Sequence, residues 1–169
     1  FYSLLWISIL LSMMLATEDI FLEDFSDGTL EQTIISNTSF PSLIAKKIFI
    51  YWLMIGVPIS FLSFLFSLSL TQNFNLSLSI FPLSVASSYI FLNLFVFGNA
   101  LSLNKGSVLG AIITMPLALP VLIILGKSVI AIEFGINYLE FLLLLLGILS
   151  IIITIVPFII SYVIKAHLE

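Results

Sequence analysis

Long apolar runs broken by short polar interruptions dominate the chain. Five runs emerge at about 20 residues per helical crossing. They fall at residues 1–16, 48–70, 76–103, 107–125 and 139–164. The runs are continuous, as in "LLLLLGILSIIITIV", and do not alternate as lipid-facing barrel strands would. The expected fold class is therefore an all-α membrane protein, a polytopic helical bundle with five transmembrane helices in this stretch of sequence. The interruptions "TQNFN" (Thr71 to Asn75) and "NKG" (Asn104 to Gly106) are short turns, which make neighbouring spans antiparallel. The stretch "GKSVIAIEFGINY" (Gly126 to Tyr138) is less apolar and is expected to form a short interfacial or re-entrant helix.

Residues 17–47 form the one long polar connection. Thr17-Glu18-Asp19 has the composition of a helix start, with Thr17 as cap. Leu22, Phe25, Leu30 and Ile34 lie at near-helical spacing, Asp27-Gly28 marks a break, and Thr29 restarts a helix with Glu31 and Gln32 in its first turn. The expectation is two short amphipathic helices along the membrane face. Pro41 ends the region, and Lys46 and Lys47 anchor the next span at the headgroups.

Composition sharpens this picture. The 169 residues are 61% hydrophobic and 8% charged, with a mean hydropathy of +1.29. A soluble domain carries about 25% charged residues. There is no arginine and the five lysines are scattered, which excludes a nucleic-acid groove. The absence of cysteine excludes disulfides, thiolate metal sites and cysteine nucleophiles. With alternating spans, Lys46, Lys47, Lys105 and Lys165 share one side and Lys127 lies on the other, so the positive-inside rule places residues 17–47 in the cytoplasm. The chain starts at Phe1 within an apolar run, and one further span is expected upstream, giving six in the full chain.

Six of the nine acidic residues (Glu18, Asp19, Glu23, Asp24, Asp27 and Glu31) crowd into that connection. Anionic headgroups attract basic amphipathic helices and repel acidic ones. A docking surface for a cytoplasmic protein is one reading; a solvated loop that keeps helix ends out of lipid is the other. Within the spans, Pro58, Pro82, Pro116, Pro120 and Pro157 each remove a backbone hydrogen bond. Asn93 and Asn99 sit in a run of small and hydroxyl residues, which suits either close helix packing or the wall of a substrate path.

The strings "FLEDFSDGTLEQ", "AKKIFIYWLMIGVPISFLS" and "LNKGSVLGAIITMPLALPVLI" together resemble the haem exporter B family, CcmB, the permease of the cytochrome c maturation ABC transporter. The matching elements are Asp27 to Gln32, Lys47 five residues before Trp52, Gly56 and Pro58, Lys105-Gly106, and the pair Pro116 and Pro120. The resemblance implies a type 2 ABC exporter-like fold in which Glu23, Asp24, Asp27, Gly28, Thr29, Leu30, Glu31 and Gln32 form the coupling site for a separate ATPase subunit. It also implies a haem-handling membrane subunit, a small accessory subunit and a periplasmic haem chaperone as partners. ATP would be bound by the partner and haem would be the substrate of the complex, in a bacterial or mitochondrial inner membrane. No cofactor is expected on this chain itself. The alternative is a non-transporting scaffold subunit of a respiratory or biogenesis complex.

Chemistry of other kinds is poorly supplied. His167 is the sole histidine, so bis-histidine haem ligation within the chain is impossible. Met13, Met14, Met54 and Met115 read as packing. "GKS" at Gly126 to Ser128 lacks the upstream glycine and strand of a phosphate-binding loop. Asn37-Thr38-Ser39 and Asn75-Leu76-Ser77 are coincidental glycosylation patterns, and Glu133 and Glu140 read as a solvated rim. No acid–base or nucleophile–base set lies in the spans, so the chain is expected not to be an enzyme.

Overall fold

The computed structural model describes residues 2–35, 39–103 and 107–168. Helix α1 (Tyr2–Ala16) leads through a turn to two short helices, α2 (Leu22–Ser26) and α3 (Thr29–Ile35). A rod from Phe40 to Thr71 follows. It consists of α4 (Phe40–Tyr51), a π turn (Trp52–Gly56) and α5 (Val57–Thr71). Three long helices complete the chain: α6 (Phe74–Leu101), α7 (Ser107–Glu133) and α8 (Leu139–Leu168). Four of these rods are long and apolar enough to cross a membrane, and α1 is a shorter apolar helix. The expected "NKG" turn at Asn104 to Gly106, and the Asn37–Thr38 part of the first glycosylation pattern, lie outside the described residues.

α6 is the axis of the bundle, with α1, α5, α7 and α8 packed around it. In its most apolar 18-residue stretch 72% of positions are buried, against 22–28% in the other three crossing helices. The outer helices therefore present most of their Leu, Ile and Phe side chains outward, the arrangement expected of a bundle solvated by lipid.

Lipid supplies no hydrophobic drive between helices, so small and hydroxyl residues set the contacts. Along α5 and α6, Ser67 meets Ser77 at 3.1 Å, and Ser60 meets Ser88 at 3.3 Å. Partner numbers fall on one helix as they rise on the other, so the pair is antiparallel. Three further groups join the seam: the Thr71 hydroxyl near Ser77, the Tyr2 hydroxyl near Ser67, and the Trp52 indole N–H, donating to Ser88. At the other end of α6 the backbone itself makes the contact with α7. A Cβ on Gly98 would sit 2.5 Å from the Gly110 carbonyl oxygen, and one on Gly110 would sit 2.4 Å from that of Gly98. These small residues of α6 thus lie at helix contacts.

The prolines differ in consequence. Pro58 lies in the first turn of α5, just after the π turn. There Val57 N–H reaches back to the Trp52 carbonyl, five residues away, so the widened turn precedes the residue that has no N–H to give. Pro58, Pro116 and Pro120 are all exposed on the outer surface of the bundle.

Four expectations are corrected. Pro41 does not close the polar connection but lies in the first turn of α4, which begins at Phe40. Proline there stands where an N–H has no intrahelical partner anyway, so it opens the helix. Gly126 to Glu133 forms no separate interfacial helix but continues α7. Ser128 is buried and bonds to the Leu125 carbonyl, while Val129 and Ala131 pack inside. The stop comes at Gly135, with φ +67°. Gly135 N–H bonds to Ile132 O and Ile136 N–H to Ala131 O, the double closure of a glycine-terminated helix. Thr17 caps no helix start: its hydroxyl bonds back to the Met13 and Met14 carbonyls and closes α1. Finally, Leu22 is 47% exposed, whereas Ile20 and Phe21 are each at 2%. The turn at residues 17–21 shifts the apolar register, so this pair enters the core in place of Leu22.

The glycine crossing generates a test. Gly110→Ala is expected to cost about 1–3 kcal/mol through overpacking, whereas Gly147→Ala, where a Cβ meets nothing within 4 Å, is expected to be neutral. Thermal unfolding in detergent measures both.

Candidate functional site

The polar connection forms a short platform at one end of the bundle. Its base is the closed turn after α1, where backbone bonds run from Glu18 to Leu15, Ile20 to Thr17 and Leu22 to Asp19. Ile20 and Phe21 plug this turn into the core, and Leu30 does the same for α3 at 5% exposure. Phe25 and Ile34 pack partly against it. Between α2 and α3 the chain turns at Gly28, whose φ of +73° suits glycine. Asp27 N–H closes α2 on the Glu23 carbonyl, Gly28 N–H bonds to Phe25 O, and Gln32 N–H bonds to Gly28 O. The break at Asp27-Gly28 and the restart at Thr29 therefore fall where the sequence puts them.

The polar side chains divide into two sets. Glu23, Asp27, Thr29, Glu31 and Gln32 are exposed. Glu23 lies in the first turn of α2 and Glu31 in the first turn of α3, where a negative charge is favoured by the helix dipole. Asp24 is turned inward. Its Oδ2 lies 2.5 Å from Lys47 Nζ on α4, and the same ammonium sits 5.5 Å from the centre of the Phe21 ring. Lys47 is thus committed to the platform, while Lys46 is exposed. Sequence pattern alone missed this link, because its partners are 23 residues apart.

A second tie binds the platform to the axis. Asn99 Nδ2 near the end of α6 donates to the carbonyl of Thr17, a residue with no exposed surface. The other amide, Asn93, donates to the Tyr89 carbonyl within its own helix. Neither amide lines either of two apolar grooves formed among the described residues. One groove, about 600 Å³, runs between α4, α6 and α8 and is walled by Phe49, Trp52, Phe81, Tyr89, Leu146 and Leu149, among others. Trp52 and Tyr89 meet there edge to face, with centroids 5.0 Å apart. The second groove, about 390 Å³, lies between α1 and α5 and includes Ile9, Ile59, Phe66, Ser8, Ser12 and Ser63.

The remaining candidates sit apart from the platform. Gly126 to Ser128 is mid-helix in α7, a geometry without the loop that a phosphate needs. Glu133 and Glu140 are exposed around the α7–α8 turn. His167 lies in the last turn of α8, with Nδ1 2.8 Å from the Val163 carbonyl oxygen. Among the described residues no group of three or more His, Cys, Asp or Glu is placed to hold a metal.

Comparison with known proteins covers almost the whole chain. The profile of the family described as CcmB protein matches residues 2–167. The chain is 29% identical over 166 residues to Heme exporter protein B of Haemophilus influenzae, covering 97% of this chain and 75% of that one. It is 31% identical over 161 residues to Heme exporter protein B of Pseudomonas aeruginosa, covering 94% and 72%. A shorter match, 35% over 60 residues, links it to Heme exporter protein B of Escherichia coli.

The amide tie has a measurable consequence. Asn99→Ala is expected to destabilise the protein by about 1–2 kcal/mol through the lost bond to a buried carbonyl. Limited proteolysis is expected to cut within residues 17–35 faster than in the unaltered protein.

Proposed function

The chain belongs to the CcmB family, an integral membrane protein family, and from that premise we propose that it is the permease subunit of an ABC-type haem exporter serving c-type cytochrome maturation. In this reading the chain itself hydrolyses nothing. A separate nucleotide-binding subunit binds and hydrolyses ATP, and the permease turns that subunit's movement into movement of its spans. The partners are that ATPase, a haem-handling membrane subunit, a small accessory subunit and a periplasmic haem chaperone. Haem is the substrate of the complex, which sits in the inner membrane.

One observation carries the reading. The exposed acids Glu23, Asp27 and Glu31, with Gln32, stand on a helix–turn–helix platform fixed to the end of the bundle. Lipid headgroups repel such a surface, whereas a protein with basic or amide groups is attracted to it. The lysine balance puts the platform on the cytoplasmic side, where ATP is found.

The mechanism is mechanical. Closure of two nucleotide-binding subunits displaces the docked helices, and the bundle shifts between two packings as a result. Asp27 to Gln32 make the contact. Gly28 supplies the turn that presents both helices at once, and Glu31 faces a basic or amide group on the ATPase.

Two substitutions test this. Gly28→Pro demands a φ near −65° where the chain has +73°, and is expected to disorder the turn while leaving membrane insertion intact. Glu31→Lys is expected to weaken retention of the ATPase by about tenfold or more through like-charge contact. Co-purification and cytochrome c yield measure both effects. Wild-type retention and yield in both variants would refute the assignment, and a chain that brings down no ATPase would be a scaffold.

A further inference from the structure

We infer that Lys47 is the positioning residue that carries displacement of the acidic platform into the membrane spans, held for that purpose by Phe21 and Asp24. The inference rests on the permease reading above and assigns a residue to its mechanical step. Phe21 and Asp24 are three apart, the spacing that puts two side chains on one face of a helical turn. Both face the Lys47 ammonium, the carboxylate at 2.5 Å and the ring at 5.5 Å. Phe21 is buried in the core at 2% exposure, which fixes the ring that the ammonium lies over. Glu23, the direct neighbour of Asp24, points outward. The platform thus holds the bundle through Asp24 and presents Glu23, Asp27 and Glu31 outward.

The far side of the link is equally firm. Lys47 stands between Ile44 and Ile48, at 3% and 1% exposure, so α4 is locked into the core at this level. From there the rod runs without a break through the π turn to Thr71. Farther along it, Trp52 and Ser60 bond to Ser88 of the central helix. A push on α2 therefore reaches α4 through Lys47, beside the Asn99 tie to α6, and passes along the rod through the π turn, a local widening that accommodates change in helix geometry. Packed side chains and ion pairs of this kind are the physical carriers of coupling between sites. With side chains 28% and 36% exposed, the pair adds little to stability, so breaking it separates coupling from folding.

The test uses the whole exporter complex in membranes, with three readouts: retained ATPase subunit, ATP turnover and cytochrome c yield. Lys47→Met keeps the stem and removes the charge. It is expected to retain the ATPase and its turnover while cytochrome c yield per ATP falls by about tenfold, within the usual range of coupling energies. Asp24→Lys alone is expected to lower the yield as far, counted per ATPase subunit retained, and the exchange Asp24→Lys with Lys47→Asp to recover most of it. A normal yield per ATP in Lys47→Met, with the ATPase bound, overturns the role of Lys47 and leaves the permease reading standing. An exchange variant that inserts and binds the ATPase but couples no better than the single changes overturns it too. Failure of the unaltered chain to retain an ATPase overturns the permease reading, and this inference with it.

Discussion

Hydrocarbon leaves a polar group nowhere to go except another group of the same protein, and the described helices follow that constraint with the buried Trp6 indole N–H as an exception. Serines face serines along α5 and α6, and further hydroxyls bond back to carbonyls one turn earlier, as Ser84, Thr114 and Thr154 do. The helix with the most small and polar residues is the one surrounded by the others, and the outer helices carry the apolar surface. Charge, which has no such outlet, is moved to the ends. Its largest concentration is the platform between α1 and α4.

That exile of charge has a functional side. A platform that only shielded helix ends would need no firm seat. This one has Ile20, Phe21 and Leu30 in the core, Asn99 on its first turn and Lys47 on α2. The same constraint that concentrates the acids also makes their attachment to the bundle count, because two polar ties and an apolar plug connect them to both α4 and α6. A force applied to the outward acids in the proposed complex would reach both helices through these ties.

Much of this was legible in the sequence. The continuous apolar runs define the long helices, and the Asp27-Gly28 break and Thr29 restart describe the platform correctly. Local pattern failed where a distant or backbone-level fact decided. Thr17 carries the chemistry of a helix cap, yet tertiary position makes it a helix stop. Lys127 lowers the apolarity after Gly126, but no breaker stands before Gly135, so α7 continues; the positive-φ glycine was the better signal. The stripe in "SLSIFPLSVASSY" was visible, whereas its match to Ser60 and Ser67 depends on antiparallel register. Lys47 reads as a headgroup anchor by position, and only the fold brings it to Asp24.

The central claim is that the exposed acids of the platform meet a nucleotide-hydrolysing protein in the cell interior. A photo-crosslinking side chain placed at Asp27 in living cells tests it most directly. The account gives an adduct between this chain and a cytoplasmic ATPase subunit. An adduct with a periplasmic protein, or with lipid alone, would contradict it.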